Sequence, residues 1–396
     1  MEAGSARHSL PIDKHCRGRS AMSSAPGNVT DLLSPRMPIR RVNELDLLRF
    51  AAALIVVMFH YAFRGYAADD RSVMSYPLLA PLAKYGFMGV EMFFLISGFV
   101  ILMTASRGTL KAFAISRFVR LYPAFWACCS LTFVAILLFG GHRYSASYFQ
   151  YLVNMTMLSG FAHVPSIDGV YWSLFIEMQF YGLVALVVAA RRIHQAQRLL
   201  TLWLLATLAL EVFPVNPLRF LLLTSYSAYF IAGATCFLIW TLGPSRHRLC
   251  VVAVCLLFGI YQALGNLQGF EDKYGTTMNR PAIIAMITAF FVIMLLVATR
   301  RMGPVAQRNW AVAGALTYPL YLLHQNIGFM LFNLAYPAVN RHVLFWGTTL
   351  TMIGIAYAVH VLVEKRFSPV LKRMCETVWD AGARWLSRLR MQISGA

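Results

Sequence analysis

Long uninterrupted apolar runs constrain this chain more than anything else in it. Leu121–Phe139, Val170–Ala190 and Pro281–Thr299 each extend for about 19–21 residues, the length at which a helix rising about 1.5 Å per residue crosses about 30 Å of hydrocarbon. In a bilayer the backbone amides must be satisfied internally, and runs of this length can do so only as helices. Ten segments qualify, near 45–63, 86–104, 119–140, 170–190, 198–213, 220–241, 249–266, 281–299, 311–334 and 343–364. The expected fold class is all-α, a polytopic integral membrane protein with about ten transmembrane helices. Composition agrees: 59% of the 396 residues are hydrophobic and only 13% charged, against about 25% charged in a soluble domain.

The net charge of +19 invites a nucleic-acid reading, but the basic residues sit between the apolar runs and form no single patch. Their placement instead gives orientation. The connections at 1–44, 105–120, 191–198, 243–248, 300–308 and 365–396 hold 26 Lys and Arg, and the alternate connections hold 8. By the positive-inside rule the first set, and with it both termini, faces the cytoplasm. Residues 1–38 lack an apolar stretch of signal length and read as a disordered basic cytoplasmic arm. Residues 39–373 form the transmembrane domain. In the tail, 374–396, Trp379, Leu386, Leu389 and Ile393 interleave with Arg384, Arg388 and Arg390, a pattern for an amphipathic helix on an anionic inner leaflet. The connection 141–169 is unusually aromatic, which predicts that part of it folds back into the membrane. Seven cysteines show neither disulfide nor zinc spacing. No metal is expected, because His60, His163 and His324 lack ligand spacing.

Ionisable groups inside apolar spans are costly, and each is a functional candidate. In the first span Arg49 and His60 are eleven residues apart, so they share a helix face and differ in height by about 16 Å. Asp46 and Arg64 lie near the same stripe. The plain alternative is a snorkelling arginine and a hydrogen-bonding histidine. The second span carries Glu91 and Ser97 between Gly89 and Gly98, glycines that permit close helix approach. Arg117 and Arg120 are three apart at the start of the third span, two guanidinium forks on one face that suit a phosphate, or simply anchor the helix. The fourth span opens with Trp172, Ser173 and Glu177, and the ninth carries Pro319 and His324. Both sets suit substrate binding or, more simply, interhelical hydrogen bonding.

Taken in order, these segments resemble membrane-bound acyltransferase family 3, bacterial enzymes that modify envelope carbohydrates. The resemblance rests on Arg49-x10-His60, the run Gly89-Val-Glu-Met-Phe-Phe-Leu-Ile-Ser-Gly-Phe-Val-Ile, Arg117-x-x-Arg120 followed by Leu-Tyr-Pro, Trp172-Ser-Leu-x-x-Glu177 and Tyr318-Pro-Leu-Tyr-Leu-Leu-His324. It covers roughly residues 40–373 and matches the stand-alone form, without an appended esterase-like domain. Departures are small: Asp46-Leu-Leu-Arg49 lacks the usual glycine, Glu91 replaces a common aspartate, and Met178 follows Glu177 where a second glutamate is usual. The resemblance implies a bacterial inner-membrane O-acyltransferase. It would move an acyl group, most simply acetyl, from cytoplasmic acyl-CoA to a hydroxyl of an envelope carbohydrate or lipid-linked saccharide. Membrane lipids are then its surroundings, and nucleic acid and metal have no part. On this reading His60 is general base or nucleophile, Asp46 or Glu177 orients it, and Arg49 stabilises developing charge or binds the donor. Arg117 and Arg120 hold the phosphates of CoA. Trp172, Ser173, Glu91 and His324 contact substrate.

Two rival readings belong to other classes. A multi-span secondary transporter or flippase also uses intramembrane charge, but the chain shows no paired halves with matching interruptions. A lipid-linked glycosyltransferase generally needs acidic motifs in large outer loops, and here Asp69, Asp70, Asp168, Glu271 and Asp272 are the obvious outer carboxylates.

Overall fold

Nine of the ten apolar segments are essentially continuous helix, and the tenth, 220–241, is broken. The computed structural model describes residues 41–394 except Asp69 and Arg107, with side chains to residue 387. The arm over 1–38 lies outside the described residues. Helix α1 runs Asn43–Phe59, passes through a π-helical turn, His60–Arg64, and ends at Ala67. Then come α2 (Gly89–Ala105), α3 (Leu110–Phe139), α4 (Tyr171–Ala189), α5 (Ala196–Val212) and α6 (Ser227–Leu242). They are followed by α7 (Arg246–Gly265), α8 (Arg280–Ala298), α9 (Ala311–Ala335), α10 (Arg341–Val359) and α11 (Lys365–Ser394), the last two joined by a second π-helical turn, His360–Glu364. Among the described residues seven helices are long and apolar enough to cross a membrane, built on α1, α2, α3, α4, α7, α8 and α10. The other three of the expected ten fall short differently: α5 and α6 have 17 and 16 residues, and α9 carries Pro319, His324, Gln325 and Asn326.

Local chemistry sets several starts. Thr109, Ser245 and Asn279 accept a hydrogen bond from the backbone N–H three residues on, capping α3, α7 and α8. The Thr109 cap explains why α3 begins at Leu110 and not near 119. Lys111, Arg117 and Arg120 dilute the apolar signal over its first turns. At 30 residues, or about 45 Å, α3 extends beyond the hydrocarbon layer. The expected segment 220–241 is also corrected. It breaks after a short helix, Asn216–Leu221, and Leu223 takes a left-handed φ of 54°. The break leaves carbonyls open: Trp203 Nε1 donates to Leu222 O at 2.8 Å, and Gln262 Nε2 to Thr224 O at 3.1 Å. These long-range bonds hold a bend that no local pattern signals.

The aromatic connection does fold back. Trp126 Nε1 donates to Met155 O at 3.0 Å and the Tyr122 hydroxyl to Thr156 O at 2.8 Å. These α3 residues lie about 20 and 25 Å from its Phe139 end, so the segment stands beside the middle of the helix. The tail helix starts at Lys365, with no break at 373. It is pinned to α3 by Lys111 Nζ and Asp380 Oδ1, 2.6 Å apart. The side chains of Arg388, Leu389, Arg390 and Ile393 lie outside the described residues.

The core centres on α2, which packs along α6 on one side and α1 on the other. Gly98 faces the backbone of Phe230 and Ala234, and Gly233 faces the backbone of Leu95 and Phe99. The two helices touch main chain to main chain, as small residues allow in membranes.

Candidate active site

His60 opens the π-helical turn of α1. Such turns depart from the regular i→i+4 ladder and concentrate at functional positions. His60 is buried. Its Nδ1 is 2.8 Å from Val56 O and 3.2 Å from His324 Nε2, and its Nε2 is 3.2 Å from Arg64 Nη1. His324 Nδ1 in turn lies 2.9 Å from Tyr321 O and 3.2 Å from Leu320 O.

The protons follow from these partners. Carbonyls can only accept, so both histidines carry the proton on Nδ1. His324 Nε2 is then a lone pair facing His60 Nδ1–H, and His60 Nε2 is a lone pair facing out of the pair. Arg64 covers that lone pair and also donates to Gln325 Oε1 at 2.8 Å. A base oriented from behind by an acceptor is the arrangement that general-base sites use, here with an imidazole in the orienting place.

His60 and Arg64 line a cavity of about 320 Å³ whose wall also includes Glu91, Trp172, Tyr226 and Gln262. Glu91 Oε2 and Gln262 Oε1 are buried without a hydrogen-bond partner among the described residues, so this wall offers acceptors to a donor-rich guest. A second cavity, about 210 Å³, is lined by Arg49, Arg117, Arg120, Ser97, Ser173 and Glu177 among others. Ser97 Oγ donates to Glu177 Oε1, which also accepts from the Tyr181 hydroxyl at 2.8 Å. Arg49 is within electrostatic reach of Asp46, Glu177 and Arg120. Both cavities touch Val90 and Tyr321, which therefore form the partition between them. Tyr321 is held by its hydroxyl, 2.7 Å from Ser173 Oγ and 3.3 Å from Val170 O.

The sequence-predicted residues divide between these places. His60, Glu91 and Trp172 meet at the histidine cavity. Arg49, Arg117, Arg120, Ser173 and Glu177 meet at the arginine cavity. Several expected contacts are corrected. Asp46 does not orient His60: fourteen residues back along α1, it accepts from Arg41 Nε at 2.6 Å and packs on Gly314. Glu177 does not orient it either, being bonded to Ser97 and Tyr181. That place is taken by His324, which is fully buried and lines neither cavity. Arg49, about 16 Å along the helix, belongs with the arginine cavity, and the cation beside His60 is Arg64. Arg64 was placed on the His60 stripe but given no role, and Gln325 was missed by sequence reasoning; they neighbour His60 at i+4 and His324 at i+1. Among the described residues no three His, Cys, Asp or Glu side chains cluster as a metal ion requires.

A family model described as an acyltransferase domain matches residues 42–361. Nodulation protein 10 of Rhizobium leguminosarum bv. viciae is 30% identical over 161 residues, which are 35% of this chain and 42% of that protein. The match thus spans less than half of that relative. No solved structure matches.

Proposed function

Since the chain belongs to acyltransferase family 3, its acyltransferase domain spanning most of its length, we propose that it transfers an acyl group, most simply acetyl, from cytoplasmic acyl-CoA to a hydroxyl of an envelope carbohydrate or related acceptor. The arginine cavity is the donor side, facing the cytoplasm, and the histidine cavity is the acceptor side. One observation carries this reading: the two cavities share Val90 and Tyr321 as lining residues, with guanidinium groups lining one and a buried histidine lining the other. An extended pantetheine arm reaches about 15–20 Å at roughly 3.5 Å per extended unit. It spans from Arg117 and Arg120 to the partition, where the thioester meets His60.

The acceptor hydroxyl displaces Arg64 from His60 Nε2 and gives its proton to that nitrogen as its oxygen attacks the thioester carbon. Arg64, still held by Gln325, is then next to the developing oxyanion. Collapse breaks the C–S bond, and the imidazolium returns the proton to the departing thiolate. Direct attack by His60 Nε2, with an acyl-histidine passed on to the hydroxyl, uses the same groups. The distribution of Lys and Arg supports cytoplasmic termini, and a bacterial inner-membrane setting is what membership of the family implies.

Purified protein in vesicles, given radiolabelled acetyl-CoA and an envelope saccharide fraction, is expected to move label into the saccharide. Folded protein that moves no label from acetyl-CoA or from longer acyl-CoAs would overturn the assignment. A narrower test concerns His324. His324→Phe removes the acceptor behind His60, a loss comparable to one buried hydrogen bond of about 1–3 kcal/mol, so turnover should fall about tenfold to a hundredfold with KM for both substrates little changed. Unchanged turnover would remove the orienting role.

A further inference from the structure

A third concavity lies where α3 meets the start of α11. It measures about 470 Å³ and is lined by Ser116, Arg120, His360, Lys365, Ser368 and Lys372 among others. Arg120 also lines the arginine cavity, so its side chain stands between the two spaces. Behind it, buried Glu364 holds His360 Nδ1 at 2.6 Å and faces Arg120 Nη1 at 3.6 Å. Glu364 closes the second π-helical turn, and that turn aims α11 so that Lys365 and Lys372 line the groove. Among the described residues Lys365 has no hydrogen-bond or ion-pair partner. Lys372 has only an exposed pairing with Glu376, at 3.9 Å, which contributes little. The groove is therefore cationic, its one lining carboxylate already paired with His360.

Volume says what the groove is for, given the donor reading above, on which this inference rests. At about 210 Å³ the arginine cavity is smaller than the roughly 300–1,000 Å³ that hold a whole drug-sized ligand. It cannot hold a whole acyl-CoA, arm and nucleotide together. The only lining residue shared by the two spaces, Arg120, is where a diphosphate between arm and nucleotide would sit. We propose that this groove seats the nucleotide end of acyl-CoA, with Lys365 and Lys372 binding the phosphate on its ribose and Arg120 the diphosphate. Serine hydroxyls and two ammonium groups are the donors that a phosphate takes up. The phosphate of an anionic lipid headgroup has the same chemistry, so the test must separate the two sources.

The experiment uses the full chain in nanodiscs of purely zwitterionic lipid and measures calorimetric affinities for CoA, dephospho-CoA and pantetheine. The proteins are the wild type and the double variant Lys365→Gln, Lys372→Gln, whose substitutions fall at exposed positions and remove both charges. The wild type is expected to prefer CoA over dephospho-CoA. The double variant should bind CoA about tenfold or more weakly and lose that preference, with pantetheine affinity unchanged. Equal CoA affinity in the two proteins would overturn the groove assignment and leave the donor reading standing. No CoA binding by folded wild type would overturn both. Should the double variant lose retention of phosphatidylglycerol in mixed nanodiscs but keep its CoA affinity, the groove is a lipid headgroup site and the proposal fails.

Discussion

Replacing His60 by alanine is expected to lower acyl transfer by about a thousandfold or more while the protein stays folded. A positioned general base contributes about 10²–10⁴-fold, and no neighbour can take over. His324 Nε2 points into the vacated space but stands behind the cavity wall, and Arg64 is a cation. The substitution removes one ring and leaves the His324 acceptor unpaired, a cost of about 1–3 kcal/mol. Folding survives because Arg64 remains bonded to Gln325 and the ring's other neighbours, Phe59 and Phe329, are anchored elsewhere. The measurement is the initial rate of label transfer at matched amounts of monodisperse protein. Turnover retained within tenfold of wild type would dismiss His60 both as base and as nucleophile. Label trapped on wild-type protein without acceptor, and absent from the alanine variant, would select the acyl-histidine route.

The second large effect falls on folding. Gly233→Leu should remove most of the folded protein recoverable from membranes. A Cβ at position 233 meets the Leu95 carbonyl and the Phe99 amide, and one at Gly98 meets the Phe230 carbonyl and the Ala234 amide. These neighbours are backbone, so no rotamer change relieves the clash, and the helices must separate. Overpacking costs about 1–3 kcal/mol where side chains can adjust; here the ring contacts between Phe94 and Phe230 (4.8 Å) and between Phe99 and Phe237 (5.6 Å) open as well. Activity should disappear with the fold, because α2 carries Val90, Glu91 and Ser97 on the cavity walls. Gly182→Leu is the control, since nothing lies within 4 Å of its added Cβ. Gel-filtration profiles of the two variants in detergent would decide. A monodisperse Gly233→Leu peak of wild-type height would show that the helices can part without loss.

Much of this architecture was legible because a bilayer asks for one thing over and over. Apolar length located the long helices, and charged residues blurred it where α3 starts. The bend at Leu223 stayed hidden because Trp203 and Gln262, on other helices, stabilise it. The site divides along the same line. Arg49 and His60 stood out by their cost within a span, and the helical period put them on one stripe. The period also drew in Asp46, which Arg41 holds at the helix start. What no spacing reveals is the meeting of His60 with His324, residues 264 positions apart. Once that pair is known, Arg64 and Gln325 follow as their neighbours, bonded to each other across two helices.

The thin partition has an electrical consequence. A resting membrane drops its voltage across whatever layer insulates best. On the proposed reading the arginine cavity opens to one face and the histidine cavity to the other, and that layer shrinks to Val90 and Tyr321, which line both. The field there is correspondingly steep, and a full charge carried past the two side chains would feel nearly the whole potential, about 2.3 kcal/mol per 100 mV. A neutral acyl group passes such a barrier without electrical work, whereas a proton or a phosphate does not. With the proposed acyl-CoA donor, the membrane potential therefore favours a division of labour in which the charged parts of the donor stay with the arginines and only the uncharged thioester end crosses to the histidine.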